Sequence, residues 1–174
     1  MGMSRVKQEY LQNGFYGIGL IHSVKEINIG TLWRSAYIMG ASFIFTIGNR
    51  YRSQPGDVTR TWTKIPLFHY DDFDLFYSNL PHDTRLVGVE MAEASQELNS
   101  YDHPQRAVYL LGNEQLGLSP GVIARCHSLV KLPGSFSLNV AVAGSIVMYD
   151  RLSKISHILP MGKPISGQAH GEKK

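Results

Sequence analysis

The 174-residue chain has the length of one domain, and its 43% hydrophobic and 18% charged residues are typical of an ordinary globular protein. Cys126 is the only cysteine, which excludes a disulfide framework or a multi-cysteine metal site within one chain and favours a small buried side chain. No signal-peptide core or run of about 18 apolar residues occurs, and the net charge of +3 does not by itself indicate a polyanionic partner. We therefore expect a cytoplasmic protein with no membrane segment.

The first half of the chain alternates apolar runs with helical patterns. Residues 15–21 (FYGIGLI) predict a buried strand, and residues 42–47 and 65–70 predict two more. Residues 28–39 predict a helix whose apolar stripe comprises Ile29, Leu32, Trp33, Ala36 and Tyr37. A second helix is predicted over residues 71–80, where acidic residues complement the dipole of the helix start.

The second half continues the alternation. Residues 86–91, 107–111 and 129–132 predict three strands. Ser119 is predicted to cap a short helix whose first residue is Pro120. A long apolar helix is predicted from Leu138 to about Ile158.

Strands that alternate with helices indicate an α/β fold, in which a mostly parallel sheet has helices on both faces. We expect a single domain over residues 1–159 and a disordered basic tail over 160–174, which is rich in Gly, Pro, Ser, His and Lys. Ligands of such sheets bind outside the carboxyl ends of the strands. The candidate site therefore lies at the loops that follow Ile21, Met91, Leu111 and Leu132.

Three segments at these loops carry polar residues. In the first, Asn28 is predicted to be a helix N-cap, and Gly30 and Arg34 share one helical face, opposite much of the apolar stripe. Taken alone, this segment favours an ordinary amphipathic helix with a solvated arginine over a binding segment.

The second segment is LGNEQLGL, residues 111–118. Two glycines, Gly112 and Gly117, flank Glu114 in a strand-to-helix turn, and such a turn exposes backbone groups to a ligand. A glycine-rich connector without a ligand remains the alternative for this segment by itself.

The third segment is LPGSFSLNVAVA, residues 132–143. Ser137 is predicted to be the helix N-cap, with Asn139 inside the first turn. Because asparagine is unfavourable inside a helix, its position suggests that the Asn139 side chain makes functional polar contacts. Simple capping is the alternative.

Together the patterns N-x-G-x-x-x-R, G-N-E-x-x-G-L and L-P-G-x-x-S-L-N-V-A-V-A, in this order, resemble the three signature motifs of the SpoU/TrmH branch of the SPOUT superfamily of RNA methyltransferases. They span residues 28–150. The departures are mild and affect Gly134 and Ala141, not the polar residues expected to act.

The resemblance implies an α/β fold of SPOUT type with a C-terminal trefoil knot, and a homodimer with the site near the interface. The final helix also favours a dimer, because it supplies more apolar surface than one sheet face needs, through Val140, Val142, Gly144 and Val147. It implies that the methyl donor S-adenosylmethionine contacts the backbone near Val89, Gly112, Leu132 and Leu138. The implied reaction is methyl transfer to a ribose 2′-hydroxyl of RNA, with tRNA favoured over rRNA.

The resemblance also suggests roles for the polar residues. Arg34 matches the arginine proposed as catalytic in the family, although a guanidinium is a poor base and is better suited to holding a phosphate or stabilising an alkoxide. The surrounding polar shell would comprise Asn28, Glu114, Ser137 and Asn139. No metal is expected, since the seven histidines show no ligand-like pairing.

Three alternatives remain. The chain could be a non-catalytic RNA-binding member of the same fold, although that reading predicts loss of Arg34 or Asn139 and both are present. A nucleotide-binding protein of another type is disfavoured because His22 replaces the third glycine of G-x-G-x-x-G. Base methylation is the third alternative. The basic loop 48–64, with Tyr51 and Trp62 available for stacking, is a candidate RNA contact.

Overall fold

The computed structural model describes residues 14–52, 63–155 and 159 of the chain. Within them the strands are β1 (Phe15–Ile21), β2 (Phe43–Ile47), β3 (Leu67–Tyr70), β4 (Arg85–Val89), β5 (Gln96–Glu97), β6 (Arg106–Leu111) and β7 (Ser128–Lys131). The helices are α1 (Glu26–Ile38), α2 (Phe73–Ser78), α3 (Pro120–Ile123) and α4 (Val140–Lys154), and a 3-10 turn covers Leu98–Ser100.

The strands form one sheet in the order β3-β2-β1-β6-β4-β7-β5. Every pairing between neighbouring strands is parallel, which confirms the predicted parallel sheet. Because parallel strands end at the same edge of a sheet, the loops that follow β1, β6, β4 and β7 lie side by side there. Three of these loops contain the segments that the sequence singles out.

Helices cover both faces of the sheet, as predicted. On one face α1 and α4 pack with the sheet around Ile18, Leu32 and Val147. On the other face Phe76 of α2 and Val122 of α3 pack against the sheet. This arrangement buries both sides of the central strands, which explains why they are apolar throughout rather than alternating.

The structure corrects the predicted start of α1. The helix begins at Glu26, so Asn28 is its third residue and not its N-cap; Lys25 precedes the helix and its side chain makes no capping hydrogen bond. A polar side chain in the first turn resembles a cap in sequence, but this one is buried and directed at other side chains.

The predicted start of α4 is also corrected. Asn139 is the N-cap, and its Oδ1 accepts hydrogen bonds from the backbone amides of Ala141 and Val142 at 2.9 and 3.3 Å. Ser137 lies two residues before the cap and is exposed. Both residues have capping chemistry, and two satisfied helix amides decide in favour of Asn139.

Other boundaries differ by a few residues. The short β5 and the 3-10 turn after it were not predicted, because two residues give no periodicity. The cap at Ser119 is confirmed, since its side chain accepts a hydrogen bond from the Val122 amide. Residues 53–62 of the basic loop, which include Trp62, and the tail 160–174 lie outside the described residues.

A buried polar network fixes the end of α4 at the opposite edge of the sheet. Arg151 is fully buried and donates hydrogen bonds to the carbonyls of Pro104 and Gln105 at 2.6 and 2.9 Å. His103 lies 2.6 Å from the Tyr109 hydroxyl and 2.8 Å from the Asp150 carboxylate. Buried polar groups with satisfied partners hold α4 in one position on the sheet.

Candidate functional site: a pocket at the carboxyl edge of the sheet

A pocket of about 460 Å³ opens at the carboxyl edge of the sheet. Its walls are the loops after β4, β6 and β7 and the first turns of α4. The four residues predicted to contact the methyl donor, Val89, Gly112, Leu132 and Leu138, all line it. The structure therefore brings together, around one cavity, positions that span 50 residues of sequence.

A chain of side-chain hydrogen bonds lies beside this pocket. Glu114, which lines the pocket, accepts hydrogen bonds through Oε1 from Ser23 Oγ at 2.8 Å and Asn28 Nδ2 at 2.6 Å. Asn28 Oδ1 in turn accepts from Asn139 Nδ2 at 2.9 Å. The three sequence segments thus meet through Asn28, Glu114 and Asn139, one residue from each.

The hydrogen bonds determine the charge state of Glu114. Burial alone would raise the pKa of this carboxyl, but the backbone amide of Glu114, the side chains of Ser23 and Asn28 and the backbone of Val24 together lower its pKa below the usual range. Glu114 is therefore ionised at neutral pH. As an ionised carboxylate it can only accept hydrogen bonds, which fixes the orientation of the Asn28 amide.

Asn139 connects the pocket wall to α4. Its carbonyl oxygen caps the helix while its amide nitrogen donates to Asn28. Ser137 lines the pocket with an exposed side chain and does not take part in this chain of hydrogen bonds. Of the predicted polar shell, Asn28, Glu114 and Asn139 are joined, and Ser137 lies at the cavity alone.

Arg34 lies apart from these residues. Its side chain is exposed, is not part of the pocket wall, and forms no hydrogen bond or ion pair with the other residues that the structure describes. On α1 it lies seven residues after Ile27 and four before Ile38, and both of these isoleucines are more than half exposed. Within one chain, the structure does not bring Arg34 to the pocket.

Tyr51, expected to be available for stacking on RNA, is half-buried instead. Its ring meets the Trp33 ring edge to face at a centroid distance of 5.8 Å. The Trp33 indole nitrogen donates to the Ile65 carbonyl at 3.1 Å. Tyr51 thus helps to attach the start of the basic loop to α1.

Two pocket residues were missed in the sequence analysis. Asn113 donates to the His22 carbonyl at 2.7 Å and accepts from the Gln115 amide at 2.7 Å, so it joins the loop after β6 to the end of β1 and stabilises the turn that follows it. Glu90 follows β4, lines the pocket and accepts from the Leu118 amide at 2.6 Å. A carboxylate directly after a buried strand was the available signal for Glu90.

Across residues 14–52, 63–155 and 159, no three His, Cys, Asp or Glu side chains are grouped so that they could hold a metal ion. In the same part of the chain, no helix is long and apolar enough to cross a membrane.

The fold and the pocket define an α/β protein with a cavity at the carboxyl edge of a parallel sheet, which is where ligands of such folds bind. The model of the SpoU rRNA Methylase family matches residues 18–149, which include all three segments. The chain belongs to this family.

A curated relative and two solved structures extend the comparison. The tRNA (guanosine(18)-2'-O)-methyltransferase TARBP1 of Mus musculus is 25% identical over 137 residues, which are 72% of this chain but 8% of that protein. The AdoMet-bound rRNA methyltransferase of Sinorhizobium meliloti is 25% identical, with a TM-score of 0.70 over 82% of this chain and 57% of that one. The TrmH/SpoU tRNA modifying enzyme of A. aeolicus is 19% identical and has a TM-score of 0.73 over 86% of this chain and 82% of that one. The chain thus spans a small part of its curated relative and somewhat more than half of the first structure.

Proposed function

We propose that this protein is an RNA methyltransferase that transfers the methyl group of S-adenosylmethionine to a ribose 2′-hydroxyl of tRNA. The observation that carries the proposal is the meeting of the three family segments at one pocket through Asn28, Glu114 and Asn139. Family membership and the mouse relative's name, which specifies 2'-O-methylation of tRNA, support it. tRNA is preferred to rRNA because that relative acts on tRNA.

The pocket suits the proposed donor. A volume of about 460 Å³ lies in the range, about 300–1,000 Å³, of pockets for ligands of this size. Apolar side chains such as Val89, Leu132 and Leu138 alternate in its wall with the backbone at Gly112, which suits a nucleoside. The donor supplies an activated methyl group on a sulfonium, so that no metal is required for its activation.

The residues of the chain have to align the ribose and stabilise its oxygen as the proton leaves. Asn28 and Asn139 hold the pocket loop and the start of α4 in fixed relation, because Glu114 fixes the orientation of the Asn28 amide. Ser137, whose exposed side chain lines the pocket, would contact the ribose. Arg34 would bind a neighbouring phosphate and stabilise the developing alkoxide.

A homodimer would bring Arg34 to a pocket. The exposed side of α4 carries Val142, Ile146 and Tyr149 at the spacing of one helical face. The neighbouring α1, joined to α4 by a 2.9 Å hydrogen bond between Ser35 and Ser145, exposes the isoleucines on either side of Arg34. Covering this two-helix surface with a second copy would place Arg34 at the interface, where it could serve the partner's pocket.

The sequence-based argument for the dimer named different residues. Val140, Gly144 and Val147 of α4 are buried against the chain's own core, and of the four residues named only Val142 is exposed. The proposal of a dimer therefore depends on the exposed side of α4 and no longer on an excess of apolar residues in the helix.

Three further features complete the proposal. The C-terminal segment, with the loops after β6 and β7 and α4, would form the trefoil knot of the SPOUT type. Residues 1–159 would act as the catalytic domain, with residues 160–174 as a basic tail. The protein would work in the cytoplasm, where tRNA is available.

The test is methyl transfer in vitro. Purified protein, S-adenosylmethionine with a labelled methyl group and tRNA that has never been modified are expected to yield labelled 2′-O-methylnucleosides after complete digestion. Parallel reactions with rRNA fragments test the preference for tRNA. A chain that binds RNA but transfers no label to either substrate would instead be a non-catalytic RNA-binding protein, and the proposal would be wrong.

A further inference from the structure

Glu90 connects two walls of the pocket. It directly follows β4, and its Oε1 accepts a hydrogen bond from the Met91 amide at 2.9 Å while its Oε2 accepts from the Leu118 amide at 2.6 Å. The Glu90 backbone is itself held, because its amide donates to the Val130 carbonyl at 2.9 Å. The carboxylate thus joins the loop after β4 to the end of the loop after β6.

The turn that Glu90 holds is closely packed. Gly117 has a φ of +65°, and a Cβ added there would lie 2.4 Å from Glu90 Oε2. A Cβ added at Gly112 would in turn lie 2.2 Å from the Gly117 carbonyl carbon. Glu90 therefore packs directly against the Gly117–Leu118 turn, and this turn packs directly against Gly112. The turn thus determines how the backbone at Gly112 faces the pocket.

Two features separate Glu90 from an ordinary surface acid. It forms no salt bridge with the other residues that the structure describes, and both carboxylate oxygens accept backbone amides. The nearby Lys131 is paired with Glu97 at 3.4 Å instead. Hydrogen bonds to an ionised acceptor are roughly twice as strong as neutral ones, so this carboxylate is suited to holding the glycine turn in place.

We propose that Glu90 is a positioning residue for the methyl donor, which acts by holding the Gly117–Leu118 turn so that the backbone at Gly112 is open to the pocket. This inference rests on the proposed function. It assigns to Glu90 a role in donor affinity that is separate from its contribution to stability.

The experiment compares Glu90→Gln, Gly117→Ala and the double variant with wild type in the 174-residue chain. S-adenosylhomocysteine binding is measured by calorimetry, and thermal unfolding is measured on the same samples. The glutamine amide offers one acceptor where the carboxylate offers two, so one hydrogen bond is lost. If the turn is formed for a smaller fraction of the time, the apparent affinity falls in proportion to that fraction. For Glu90→Gln we expect about tenfold weaker binding of S-adenosylhomocysteine.

The double variant tests whether both residues act through the same turn. Its loss of affinity is expected to be smaller than the product of the two single losses, because the turn can be disrupted only once. Glu93→Gln removes an exposed carboxylate from the same loop and should leave affinity unchanged. Ile44→Val, in the buried core of β2, should lower stability and leave affinity unchanged.

Affinity of Glu90→Gln within twofold of wild type would overturn the inference. It would also be overturned if Ile44→Val weakened donor binding as much at an equal loss of stability, because the effect of Glu90 would then be general destabilisation. These outcomes differ from a failure of the proposed function, in which the wild-type chain itself binds no S-adenosylhomocysteine and both proposals are overturned.

Discussion

Reversing the polarity of the hydrogen bond between Asn28 and Glu114 perturbs the centre of the site. In the wild type, the Asn28 amide donates to the ionised Glu114 across 2.6 Å. Asn28→Asp places a second carboxylate there without changing the size of the side chain. Adding Glu114→Gln restores a donor opposite an acceptor, and the Asn139 amide can still donate to position 28.

The size of each effect follows from the charges. Two like charges 4 Å apart repel by about 4 kcal/mol at an effective dielectric constant of 20. Because Glu114 is only partly buried, solvent screening reduces this for Asn28→Asp to about 2–3 kcal/mol of stability. Glu114→Gln keeps an acceptor and loses its charge, at a cost of about 1–2 kcal/mol. The double variant should recover to within about 1 kcal/mol of wild type.

The differences in the free energy of unfolding are measured by urea unfolding at slightly alkaline pH, followed by tryptophan fluorescence. If the m-value is the same for all variants, the shift in the urea midpoint gives the change in stability. Asn99→Asp adds the same charge at an exposed position and should leave the midpoint nearly unchanged. If the double variant were no more stable than Asn28→Asp, the hydrogen bond would not hold the segments together as described.

Three further predictions concern catalysis, assembly and pH. Arg34→Ala should lower the single-turnover rate about 100- to 1,000-fold while donor affinity stays near wild type. Arg34→Lys should also be impaired, because an ammonium keeps the charge but loses the planar fork. If Arg34→Ala kept more than about a tenth of the wild-type rate, a catalytic role for Arg34 would be excluded. Ile146→Arg, on the exposed side of α4, should convert the dimer to a monomer in sedimentation, and a wild-type monomer at micromolar concentration would refute the interface. Burial lowers the pKa of His103, although Asp150 opposes this. As the pH falls, the unfolded chain therefore binds the proton before the folded one does, and the free energy of unfolding should decrease once the pH is below about 6.5. His103→Gln should reduce that loss between about pH 7.5 and 5.5, and an unchanged slope in urea unfolding would assign the loss to other groups.

The architecture was accessible from the sequence because buried parallel strands are short apolar runs and the helices between them have apolar stripes. The exact helix starts were not. Asn28 and Ser137 have the chemistry of caps, but capping depends on which amides are left without partners, and tertiary contacts decided this in favour of a buried Asn28 and a capping Asn139. The proposed knot would leave no periodic signal in the sequence.

The site was predictable where a motif marked it. Glu114 and Asn139 lie 86 and 111 residues from Asn28, and only the three motifs taken together connected them in advance. Glu90 was missed because a single carboxylate at the end of a strand is a weak signal, and its partners are backbone amides that no motif marks. The sequence did not show that Arg34 lies away from the pocket of its own chain. This position depends on the face of α1 that Arg34 occupies and on how α1 packs against the sheet, and neither can be predicted from the residues around Arg34.

The most direct measurement is mass-spectrometric mapping of ribose methylation in RNA from a strain that lacks the gene, with and without restored wild-type or Arg34→Ala protein. The account predicts that one tRNA ribose methylation is lost in the deletion strain, returns with the wild type and does not return with Arg34→Ala. Unchanged ribose methylation in the deletion strain, or a loss confined to methylated bases, would contradict it.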